Sequence, residues 1–403
     1  MEKTVRRLTT PEELFAMDKI ATISYVNARD LEEQFQKRMA QKDIPLPQDV
    51  WGAFGADGNL CAALFNNNYT VEFDGHGVSA SGIGGVCSLP EFRSKGSVRA
   101  LFREVLQEAH REGCVFSYLF PFSYPYYRKF GYELLHTEDH YEIPIEALHH
   151  FSCSYEVRMC QTEGTTTEMH QVYSQFLKGN NLSIHREDRH WKIAQGDPYK
   201  NRCYKYTFFD PDGHPRAYII FTPGQSKTDG SRIISVNDLA YTSAQDLSHI
   251  LGFLYRFQGQ YSAVNLILPE DVPLVSMFPN NRSVKHTRHP HGQLRVVNVS
   301  KALEAMRCPA EPGSVVIAIE DAFLPENTSN YLLAFADGKA TKVEWVNQQQ
   351  PDIRLSIERF SQMVTGSISF AQAAFLPDVT VFRNHSVLEK LFIRKKIYFR
   401  DGF

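Results

Sequence analysis

Thr10 followed by Pro11, with apolar Leu14, Met17 and Ala21 at helical spacing, predicts a first helix. A second helical pattern covers roughly 31–39. The run WGAFGADGNLCAALF then reads as two strands around Asp57-Gly58, a hairpin signal. The loop DGHG leads into VSASGIGGVCS, a Ser/Gly-rich strand. LPEFRSKG is a turn ahead of a helix whose Val98, Leu101, Phe102, Val105, Leu106 and Ala109 share one face, and Gly113 ends it. The strand CVFSYLF and the segment PFSYPYYRKFGYEL complete an α/β unit.

The same order recurs with little residue identity. YKYTFFDPDGHPRAYIIF predicts a hairpin around Asp212-Gly213, RIISVNDLAYTS a strand, DLSHILGFLYRFQG a helix and AVNLILP a further strand. The second copy lacks glycine and basic residues between its strand and helix. After about Leu294 the pattern changes to a short helix at 301–306, the strands SVVIAIEDA and NYLLAFADGKATKVEW, then helical runs IRLSIERFSQMV and SVLEKLFI, an α+β arrangement. The expected architecture is three lobes: 1–150, 151–292 and 293–403.

Composition narrows the class. The 403 residues are 43% hydrophobic and 22% charged, as in a folded globular chain, and no apolar run approaches the ~20 residues of a membrane span. The N-terminus has no apolar stretch behind Arg6 and Arg7, so a cytoplasmic location is expected, with no membrane partner. Seven cysteines without a CxxC pair argue against a disulfide framework and a structural zinc site. A net charge of −3 gives no general attraction to nucleic acid. Any polyanion must be held locally, and Arg93, Lys95, Arg99, Arg103 and Arg111 form the one basic cluster that stands out. Such a run is ordinarily a solvated helix face.

The glycine context changes that reading. In RSKGSV, Gly96 lets the backbone turn tightly between strand and helix, so that several N–H groups face one anion, with a diphosphate the fitting group. This resembles the GNAT acetyltransferases, whose motif is a strand, [QR]-x-x-G-x-[GA] and a helix; Arg93 and Gly96 match, and Val98 departs. With PYYRKFGYELL added, Y-x-x-F-G-Y one strand further on, the chain is similar to the enhanced intracellular survival (Eis) family along its length. The resemblance implies an α/β (α+β) fold: an active GNAT lobe, a degenerate second one and a sterol-carrier-like C-terminal lobe.

By that resemblance acetyl-CoA is the co-substrate. Its pantetheine arm lies along Val86, Cys87 and Ser88, and its pyrophosphate is held by Arg93, Lys95, Gly96, Ser97, Val98 and Arg99. Tyr127 matches the family's general acid, and Phe403 supplies the C-terminal carboxylate that serves as base. The resemblance further implies a small-molecule amine acceptor, such as an aminoglycoside or another polyamine, no metal, and a homo-oligomer, a hexamer. A lipid-binding protein using its C-terminal lobe, or a protein lysine acetyltransferase, are the alternatives. Tyr126, Tyr127 and Tyr132 each have a plain reading as packed aromatics, and Cys87 as a buried inert thiol. His286, His289 and His291 read as an exposed loop ahead of a metal site, since no cysteine or well-spaced carboxylate joins them. His185 and His190 read as packing or a surface pair.

Overall fold

The computed structural model describes residues 3–26, 31, 33, 36, 49–191, 194–346 and 349–401. Most of the helical pattern at 31–39, and Phe403, lie outside the described residues. The chain forms two compact units that do not follow its linear order. One holds the residues up to Leu135 together with Gly292–Lys395; the other holds His136–His291 with Lys396–Asp401.

The first unit opens with β1 (Thr4–Arg7) and α1 (Pro11–Tyr25). Thr10 and Glu13 form a reciprocal capping box at the start of α1, which buries Leu14, Met17 and Ile20. Then come β2 (Val50–Phe54), β3 (Leu60–Phe73), β4 (His76–Ser88), α2 (Ser97–Arg111), β5 (Phe116–Leu119), α3 (Tyr124–Arg128) and the start of β6 (Glu133–Pro144). The sheet runs β1-β2-β3-β4-β5, antiparallel until the parallel β4–β5 pair. α2 lays Leu101, Phe102, Val105, Leu106 and Ala109 on it, as their spacing predicts.

The second unit contains β7 (Glu156–Cys160), α4 (Thr167–Leu177), β8 (Tyr204–Phe209), β9 (Pro215–Gln225), β10 (Arg232–Tyr241), α5 (Ala244–Tyr255), β11 (Ala263–Leu268) and the first half of β12 (Lys285–Val296). Its strands run β6-β11-β10-β9-β8-β7. The hairpin at Asp212-Gly213 and the parallel β10–β11 pair repeat the plan of the first unit. The tail from Lys396 is fastened here: Ser183 Oγ donates to Tyr398 O at 2.5 Å, and buried Arg186 pairs with Asp238 at 2.6 Å and Asp401 at 2.7 Å.

The rest of the first unit is α6 (Val299–Ala305), β13 (Gly313–Glu320), β14 (Ser329–Ala336), β15 (Lys339–Trp345), β16 (Ile353–Ser356), α7 (Ile357–Val364), α8 (Phe370–Ala374), β17 (Thr380–Val381) and α9 (His385–Leu391). A five-stranded sheet, β15-β14-β13-β16-β17, carries these helices. Two expectations change here and in β12. IRLS is a strand rather than the start of a helix, because Ser356 caps α7 from outside by accepting from Arg359 N. The 286–291 histidines lie on strand β12, not on a loop: His286 faces Asp139 at 2.9 Å and His291 faces Glu138 at 3.3 Å.

Beside them His136 is buried, and among the described residues neither of its ring nitrogens has a hydrogen-bond partner. Burial pushes its pKa from 6.5 down to about 3, with His291 acting in the same direction. The unfolded chain takes up this proton near pH 6.5 and the folded one resists it, so the contribution is complete above that pH. It is lost as pH falls toward 3, at about 1.4 kcal/mol per pH unit. His136→Leu is expected to recover about 2 kcal/mol of that acid loss between pH 7 and pH 5, read from urea midpoints; equal losses in both proteins would contradict it.

Candidate active site

β4 and β5 pair only from Ala80–Phe116 to Ile83–Leu119. Below the parting, a buried relay joins the strands: Tyr132 Oη and Ser117 Oγ lie 2.6 Å apart, Ser117 and Ser81 3.3 Å, and Ser81 donates to Asn66 Oδ1 at 2.5 Å. Beyond Ile83, β4 continues to Ser88 with β3 on one side and, among the described residues, no strand on the other. Gly85 has φ +58, and an added Cβ would sit 2.3 Å from the Phe65 ring, so the bend is confined to glycine. The open edge meets the end of α1: Tyr25 Oη donates to Val86 O at 3.1 Å, and Ser24 Oγ bonds both Ser88 N and Ser88 O at 3.2 Å.

From Ser88 the chain turns into α2. Ser94 and Gly96 both take left-handed backbone, at φ +59 and +83, and α2 starts with no side-chain cap and no acid in its first turn. Its first N–H groups therefore face outward at the positive end of the helix dipole. Arg93, Lys95, Arg99 and Arg103 are exposed there and form no ion pair with a described residue. Lys3 adds a further cation, its Nζ donating to buried Ser97 Oγ. Cations crowded at a helix N-terminus repel one another and the dipole, a balance that an anion reverses. The residues predicted for a diphosphate thus stand together, and the donor set suits one. Arg99 lies over the Phe323 ring at 5.1 Å, and Val98 packs into the core beneath.

Tyr127 sits on α3, 4% exposed, with its ring against Phe102 of α2 at 5.8 Å and Phe122 at 5.5 Å. Burial raises its phenol well above the ordinary value, with Tyr25 among the neighbours acting in the same direction. Tyr132 is spent on Ser117, and Tyr126 is half-buried. Cys87 is buried, its thiol pushed up to about 12, which fits an inert side chain. Between α1 and the open stretch of β4 lies a cleft of about 440 Å³, bounded by Met17, Asp18, Tyr25, Phe65, Ile83 and Phe120.

Residues 5–135 match an acetyltransferase (GNAT) domain family, residues 182–296 match a second one, and residues 299–400 match the sterol carrier protein domain. The chain carries two GNAT domains and a sterol carrier protein domain. Three solved structures share this architecture over all of both chains: a GCN5-related N-acetyltransferase from Anabaena variabilis (22% identity, TM-score 0.86), a probable N-acyltransferase from Enterococcus faecalis (19%, 0.84) and Eis1 from Mycobacterium abscessus (20%, 0.78). At these identities the likeness is one of fold. No curated protein sequence matches the chain significantly.

The second GNAT domain differs at the corresponding strand-to-helix turn. Ser243 caps α5, and the buried Asp246 carboxylate accepts from Thr242, Ser243 and Tyr155 at 2.7–2.9 Å. The first turn of α5 thus carries an acid, where that of α2 carries none. Sequence reasoning missed Lys3 and Tyr25, since an isolated lysine and a helix-end tyrosine carry no motif. Calorimetry with CoA is expected to show one site per chain, weakened about tenfold or more by Arg93→Ala and more severely by Gly96→Asp. Two equal sites, or unchanged affinity in folded variants, would refute the assignment.

Proposed function

We propose that the chain is an acetyl-CoA-dependent N-acetyltransferase acting through its first GNAT domain. The observation that carries this reading is the conjunction of an uncapped, cation-ringed helix N-terminus with a strand edge that β5 leaves open. Acetyl-CoA supplies an activated acyl thioester. The Gly96 turn with Arg93, Lys95 and Arg99 holds its diphosphate, and backbone groups from Val86 to Ser88 align the arm in place of the Ser24 and Tyr25 contacts. The acceptor is an amine, of the aminoglycoside or polyamine class, entering by the cleft where Asp18 supplies a carboxylate and aromatic walls limit water.

The amine nitrogen forms the new C–N bond as the C–S bond breaks. Its proton passes to the Phe403 carboxylate, and the Tyr127 hydroxyl gives one to the departing sulfur. A phenol raised by burial stays protonated through neutral and mildly alkaline pH, as a proton donor must. The assembly we propose, from family resemblance, is a homohexamer. Among the described residues no helix is long and apolar enough to cross a membrane.

Tyr127→Phe is expected to lower kcat at least tenfold with little change in CoA affinity, whereas Tyr126→Phe is not. Because burial holds the Tyr127 phenol above its ordinary value, its ionisation should cause no fall in the parental kcat through mildly alkaline pH. A fall beginning near pH 8 would exclude it as the acid. For Phe403, C-terminal amidation, or an extension that moves the carboxylate by ~3.5 Å per residue, should suppress turnover and spare CoA binding. Normal turnover in either protein would require another base.

A further inference from the structure

The turn that ends α3 and carries Tyr127 is built on a buried ion pair. Arg295 of β12 and Asp321, which follows β13, are both fully buried and paired through Nη2. Arg295 Nη1 donates to Phe130 O at 2.6 Å, and Nε to Val296 O at 3.1 Å. Asp321 in turn accepts from Phe323 N at 3.1 Å, Leu324 N at 2.9 Å and Asn327 Nδ2 at 3.0 Å, which fixes the carboxylate that the guanidinium faces. Gly131, at φ +83, lies directly against it: an added Cβ would be 2.7 Å from Arg295 Nη1 and 3.1 Å from Ile357 Cγ2.

The contacts continue to Tyr127 itself. Phe130 packs on Phe323 at 5.2 Å and stacks on Phe102 at 4.5 Å, while Phe130 N and Tyr132 N both donate to Tyr127 O, at 2.9 and 3.4 Å. Asp321, Phe323 and Ile357 all belong to the segment that matches the sterol carrier protein domain. A buried ion pair contributes little net stability compared with apolar packing of the same volume, but a planar guanidinium fixes several acceptors at once.

We propose that the sterol-carrier-like segment serves the acetyl-transfer site by positioning Tyr127, with Arg295 as the positioning residue and Asp321 as its anchor. The inference rests on reading Tyr127 as the general acid. It gives the C-terminal segment a role that involves no lipid. It also accounts for the Phe-Gly pair of the YRKFGY motif, where the phenylalanine offers its carbonyl and the glycine its missing side chain to one guanidinium.

The test uses the full chain. Arg295→Lys keeps the charge opposite Asp321 but cannot span Phe130 O and the carboxylate with one rigid plane. It is expected to lower kcat about tenfold, leave the CoA dissociation constant within twofold, and speed deuterium uptake in the peptide covering residues 124–132. In a Tyr127→Phe background the same change should cost nothing further, because Arg295 acts through that hydroxyl. Asp321→Asn, which preserves shape, should act in the same direction and serves if the lysine variant does not fold. Unchanged uptake in the 124–132 peptide, or an equal loss of kcat with and without the Tyr127 hydroxyl, overturns the proposal. Tyr127→Phe with full activity would instead sink the general-acid reading, and the uptake measurement would still decide whether Arg295 holds the turn.

Discussion

β4 and β5 are held together through Ile83 and Leu119 and then part, and the candidate site is assembled around that parting. Below it, the Tyr132–Ser117–Ser81–Asn66 relay ties both strands into the core. Above it, β4 keeps an edge that no strand pairs among the described residues, met only by the Ser24 and Tyr25 hydroxyls, and such an edge can align an extended backbone without specific side chains. The bend at Gly85 and the turn at Gly96 follow from the same requirement. One lets Phe65 approach the backbone, and the other admits the left-handed backbone from which α2 starts.

The second GNAT domain repeats this plan and diverges from it by a few atoms. β10 and β11 also pair briefly and in parallel, and α5 also follows β10. There Ser243 caps the helix by accepting from Asp246 N, and the buried Asp246 carboxylate places a negative charge in a first turn that in α2 holds none. Layer architecture depends on apolar patterning spread over many residues, and anion binding on a handful at one turn.

The sequence carried the local elements well, because helical spacing, Asp-Gly turns and the Thr10-Pro11 start each follow from short-range physics. The glycine turn into α2 was legible for the same reason: strand, glycine, cations and amphipathic helix are adjacent along the chain. Contacts set by tertiary packing stayed hidden. Lys3 meets Ser97 from 94 positions away, and nothing near Arg295 announces that its guanidinium lies under Gly131. Position 353, in an apolar run continuous with α7, read as helix; pairing with Ile317 on β13 made it strand. The histidines at 286–291 misled for a related reason, since polar residues on a strand opposite carboxylates look like loop when the partners are unknown.

The interleaving of the two compact units bears on how the chain is made. β5 receives its antiparallel neighbour, Gln293–Val296, only after residues 136 to 291 have been synthesised, an interval of roughly 8 to 30 s at ~5–20 residues per second. Until then the buried surface of the first domain lacks both that strand and the Asp321-bearing segment, and the second unit awaits Lys396–Asp401, more than 100 residues further on. Neither unit can close on the ribosome in the order it emerges. The nascent chain must therefore stay incompletely packed through most of translation, with apolar strand edges available to chaperones and to neighbouring polypeptides on the same message.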